Sequence, residues 1–69
     1  MNHTEEEAIA NGLTIAGRNP GLPVTTYRVT SQFGNAPYKY WHRIEMPEEK
    51  EIDGRVLTPI SCVKVKRIL

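Results

Sequence analysis

In Val24-Thr25-Thr26-Tyr27-Arg28-Val29-Thr30-Ser31, β-branched and aromatic side chains dominate, and Tyr27 and Val29 recur at a spacing of two. That is the period of a half-buried strand, because successive side chains on extended backbone point to opposite sides. The rest of the chain must supply its pairing partners and the cover for its apolar face.

Upstream, Thr4-Glu5-Glu6-Glu7 fits a capping box, in which the Thr hydroxyl accepts from the backbone N–H three residues on and Glu7 reaches back. The acidic first turn suits the positive end of a helix dipole, and Ile9, Leu13 and Ala16 follow at spacings of four and three. This predicts a helix over residues 5–16 with one narrow apolar stripe. Gly12 weakens it by about 1 kcal/mol relative to Ala. Gly17 and the turn-forming run Asn19-Pro20-Gly21-Leu22-Pro23 end it.

Downstream, Phe33-Gly34-Asn35-Ala36-Pro37 breaks the first strand, and Tyr38 to Met46 resumes the alternation until Pro47 stops it. The pair reads as a hairpin with a longish loop. Glu48 to Glu51 is a charged connector, and Asp53-Gly54 is the signal of a tight two-residue turn between short strands. After Thr58-Pro59, a last strand is expected over Ile60–Leu69, with Val63 and Val65 on one face and Lys64 and Lys66 on the other. The expected architecture is α+β: one N-terminal helix packed on an antiparallel sheet of three to four strands, arranged as a meander of local hairpins. A small SH3-like β-barrel is the alternative. Residues 1–69 are expected to form a single small domain, with residues 1–4 frayed.

A chain this short buries only about 60% of its unfolded surface. A single core of this size supplies about 3–5 kcal/mol, so small domains are commonly reinforced by disulfides, metals or association. Cys62 is the only cysteine, which excludes an internal disulfide, and with His3 and His42 it falls short of a structural zinc site. No cofactor or metal is expected, which leaves docking on another protein or homodimerisation as the reinforcement. The free thiol and the acidic first ten residues point to the cytoplasm, and no apolar run approaches membrane-span length.

Catalytic chemistry finds no support. Cys62 falls in an expected strand and reads as a small buried hydrophobe, His3 lies near the terminus, and Glu48, Glu49 and Glu51 lie on a solvated connector where nothing would raise a carboxyl pKa. Gly12, Gly17, Gly21, Gly34 and Gly54 stand apart and form no phosphate-binding loop. The expectation is a non-enzyme.

The segment Tyr38-Lys39-Tyr40-Trp41-His42-Arg43 holds three of the five aromatic residues and the only tryptophan. Tyr, Trp and Arg dominate protein-binding hot spots, which makes protein–protein interaction the preferred reading, with the module acting as an accessory or inhibitory factor that occludes its partner's functional surface. Strand alternation puts Tyr38, Tyr40, His42, Ile44 and Met46 on one face, the tyrosines with the core, and Lys39, Trp41, Arg43 and Glu45 on the other. Trp41 is then either covered by the helix or exposed as an anchor. The partner-binding set is Lys39, Trp41, Arg43, Glu48 and Glu49, the two carboxylates offering contact to a basic surface. The runner-up is weak single-stranded nucleic-acid binding on a basic, aromatic sheet face through Arg28, Lys64, Lys66 and Arg67. The formal net charge is only +1, and three C-terminal phosphate contacts give a salt slope of about −2.7, far below that of strong binders.

Overall fold

A computed structural model of the chain describes residues 4–31 and 39–67. It contains one helix, α1 (Glu5–Arg18), and four strands, β1 (Val24–Ser31), β2 (Lys39–Arg43), β3 (Lys50–Ile52) and β4 (Arg55–Val63). The strands form one antiparallel sheet in the order β2-β1-β4-β3, which is not closed into a barrel. The fold is the expected α+β arrangement of an N-terminal helix on a small antiparallel sheet. Among the described residues, no helix is long and apolar enough to cross a membrane.

The sheet is not the expected meander. Its central ladder joins β1 to β4, from Val24↔Val63 to Ser31↔Arg55, across most of the chain. A β-bulge falls between Thr26 and Tyr27, where the register passes from Ser61 to Pro59 and leaves Ile60 as the extra residue. This explains why Pro59 does not end the strand: it sits beside a bulge, beyond the last β3 partner Leu57. The last strand therefore starts at Arg55 and stops at Val63. Residues 64–67 leave the ladder, although Val63 and Val65 are half-buried and Lys64 and Lys66 exposed, as alternation predicts. Val65 is held differently, its carbonyl accepting from the backbone N–H of Gly21 at 2.9 Å.

Thr4 is the N-cap, its hydroxyl oxygen accepting from Glu7 N at 3.1 Å. The helix runs past Gly17 to Arg18, and Asn19 caps it by donating to the carbonyl of Ile15 at 2.8 Å. Asp53 and Gly54 both have positive φ, 51° and 75°, as the two-residue hairpin turn requires. Residues 1–3, the expected loop Phe33–Pro37, Tyr38 and the end of the expected last strand at Ile68 and Leu69 lie outside the described residues.

Helix α1 covers the face that carries Val24, Thr26 and Arg28. The buried stripe is Ala8, Gly12 and Ala16 rather than Ile9, Leu13 and Ala16: Ile9 is half-buried, and Leu13 is 54% exposed. Close approach selects the small residues, since a Cβ on Gly12 would stand 2.4 Å from Thr26 Oγ1. Glu5 adds an ion pair with Arg28 near the helix start. The larger apolar cluster lies on the other face, where Tyr27, Val29 and Leu57 are buried and Trp41 and Ile52 pack against them. Full burial of side chains such as Tyr27 and Leu57 contributes about 1.5–3 kcal/mol each.

The two helical glycines therefore predict opposite outcomes. Gly12→Ala forces the stiff Thr26 side chain from its place and should destabilise by about 1–3 kcal/mol. Gly17→Ala meets nothing within 4 Å and should stabilise by about 0.4–1 kcal/mol. Urea unfolding of the two variants measures the contrast, and a stabilising Gly12→Ala would contradict the close packing.

Candidate interaction surface

Strands β2 and β3 occupy opposite margins of the sheet, so residues 44–49 must pass from one margin to the other on the side away from the helix. The crossing is pinned at Glu45. Its backbone carbonyl accepts from Thr25 Oγ1 at 2.6 Å, and its carboxylate accepts from Tyr27 Oη at 2.5 Å, Arg43 Nε at 2.8 Å and Lys50 Nζ at 2.5 Å. Lys50 also lies over the Tyr27 ring, 5.9 Å from its centroid. Three donors hold the Glu45 carboxyl at about 2, well below the usual range, with the Arg43 hydrogen bond as the largest cause. Burial, and then the Glu45 carboxylate, push the Tyr27 phenol above its ordinary value.

With Glu45 turned inward, its neighbours point out. Ile44 is 52% exposed and Met46 68%, so the expected second strand ends at Arg43 instead of continuing to Met46. Glu48 and Glu49 follow, both exposed.

Trp41 is not under the helix. It stands opposite Tyr27 on the far face, half-buried against the apolar cluster, with the Arg55 guanidinium 5.7 Å from its ring centroid. Lys39 and Arg43 occupy positions of the same face on β2, opposite Val29 and Thr25. Of the expected partner-binding set, Lys39, Trp41 and Arg43 are thus gathered on one strand, while Glu48 and Glu49 lie farther along the crossing, toward β3. Alternation carried Ile44 and Met46 onto the face of Tyr40 and His42 and did not mark Arg55, because their positions depend on where β2 ends and on the pairing of β4.

The other side of β2 faces the helix. Tyr40 and His42 are half-buried and, with Ala8 and Asn11, line a cleft of about 230 Å³ between α1 and β2. His42 Nδ1 lies 2.9 Å from Thr26 Oγ1, a hydrogen bond, and burial lowers the imidazole pKa below 6.5. Its Nε2 has no partner among the described residues.

The four cations of the nucleic-acid reading do not converge. Arg28 is paired with Glu5 on the helix-covered face and stands opposite Thr58, whereas Lys64, Lys66 and Arg67 follow the far end of β4. Cys62 is exposed rather than buried: it faces away from the helix opposite Thr25, where the crossing chain does not cover it. Among the described residues, no group of three or more His, Cys, Asp or Glu side chains is placed to hold a metal ion.

No family model matches the chain, and no curated protein and no solved structure is similar to it.

The depressed Glu45 value fixes a sign. A carboxyl whose folded pKa lies below its unfolded one contributes stability above the unfolded value, about 4.5, and loses it as the pH falls toward 2. Glu45→Gln should therefore lower the melting temperature at pH 7, and the gap between variant and wild type should close between about pH 4.5 and 2. A gap of equal size at pH 7 and pH 2 would show that the charge is not what pins the crossing.

Proposed function

We propose that this protein is a protein-interaction module whose contact centre is the margin formed by β2 and the crossing chain after it. The carrying observation is the orientation of the crossing: Glu45 is turned in against Tyr27, while Ile44 and Met46 are held out in solvent. Exposed apolar side chains on a pinned backbone bind with little ordering cost, and methionine adapts to varied partner surfaces. Exposed Glu48 and Glu49 beyond them favour a partner with an apolar patch beside basic residues. Trp41 contributes its exposed part and anchors the strand through the core. A module with this surface acts by covering its partner's surface, as an accessory or inhibitory factor.

The separation of Arg28 from the C-terminal cations disfavours nucleic-acid binding through that set, so the protein reading stands first.

Ile44→Ser with Met46→Ser is the direct test. Both side chains are mostly exposed, so the double variant should unfold in urea within about 0.5 kcal/mol of wild type. It should also lose partners that wild type retains from nuclease-treated host extract. Retention of the same partners by the double variant, or loss of all wild-type partners on nuclease treatment, would overturn the proposal.

A further inference from the structure

The helix lies over β1 and β4 and leaves β2 only partly covered, so the β2 margin combines two features that together form a peptide site. The first is an edge: among the described residues β2 pairs with β1 alone, and alternate N–H and C=O groups of an edge strand point outward unpaired. The second is the cleft beside that edge, lined by Ala8, Asn11, Tyr40 and His42.

We infer that β2 accepts an extended acidic segment of another protein as a fifth strand, an uncharged ring-bearing side chain entering the cleft and carboxylates meeting the opposite face. This rests on the protein-binding reading and names the chemistry of the segment that pairs with β2, distinct from the apolar and basic patch that meets the crossing. Strand addition places the guest's side chains alternately on the two faces of the sheet. On the helix side, the cleft's lining among the described residues carries no charged group: it is the Ala8 methyl, two rings and the Asn11 amide, with His42 Nε2 free to hydrogen-bond. On the other side they meet the positions of Lys39, Trp41 and Arg43, with Arg55 stacked on Trp41. Arg43 gives Glu45 only its Nε, and its side chain is 43% exposed, which leaves further guanidinium donors for a carboxylate.

The same charges disfavour a second copy as the guest in the register centred on Trp41. Antiparallel self-pairing about Trp41 sets Lys39 directly against Arg43, and like charges opposite each other destabilise a ladder.

The test uses two capped decapeptides, one alternating Glu with Tyr and Thr, the other carrying Lys in place of every Glu. Trp41, the only tryptophan and a β2 residue, reports binding by its fluorescence. The acidic peptide should bind at least about tenfold more tightly than the lysine peptide, weaken as salt rises, and slow amide hydrogen exchange in β2. Asn11 is exposed on the helix, so Asn11→Phe should fill the cleft without unfolding the protein and weaken the acidic peptide by about tenfold. Equal binding of the two peptides, exchange protection elsewhere than β2, or a β2-protected dimer without peptide would each overturn the inference. Those results would leave the role of Ile44 and Met46 intact, because their test uses neither the cleft nor the β2 edge.

Discussion

One carboxylate organises the face of the sheet away from the helix. Glu45 receives the Tyr27 hydroxyl, Arg43 and Lys50, which come from β1, β2 and β3, and so ties three of the four strands to the chain that crosses them. Because β2 and β3 lie at opposite margins, this crossing is obligatory, and a small sheet with its helix on the other side needs it as a second layer. A charge at this position is affordable because its hydrogen bonds are made locally and the carboxylate remains partly solvated. The arrangement inverts the usual order of a covering segment, placing the polar residue inward and the apolar residues outward.

Local features of the fold were legible in the sequence, and non-local ones were not. The bounds of β1, the Thr4 cap and the Asp53-Gly54 turn follow from side-chain period, capping chemistry and backbone preference, all of which act within a few residues. The pairing of β1 with β4 has no such local signature, and neither does the crossing it requires. Gly12 shows the same limit inside the helix. Helical periodicity favours the larger Ile9 and Leu13, but the contact with Thr26 is decided by distance to a strand that periodicity does not place. For the candidate site, alternation correctly grouped Lys39, Trp41 and Arg43, and it grouped Tyr40 with His42. It carried Ile44 and Met46 into the same pattern only because it did not register that the strand stops at Arg43.

The two faces of β2 owe their difference to the position of the helix. The small residues Ala8, Gly12 and Ala16 let α1 settle close to the sheet, with Gly12 against Thr26 and His42, and Tyr40 and His42 are left half-buried beside a cleft. The cleft and the open margin therefore share one cause with the tight helix–sheet packing. A bulkier stripe would lift the helix and alter both.

The β1–β4 ladder also has a consequence for how the chain reaches this state. Val24 pairs with Val63, so closing the central ladder means closing a loop that contains β2, the crossing and β3. Loop-closure entropy is spent before those distant contacts return anything, and topologies of this kind fold slowly for their size. During synthesis β1 emerges well before β4, and until β4 arrives Tyr27 lacks the neighbour Leu57 that completes its burial. The sheet therefore assembles as one cooperative event only after β4 has emerged, with the β1–β2 hairpin exposed in the interval.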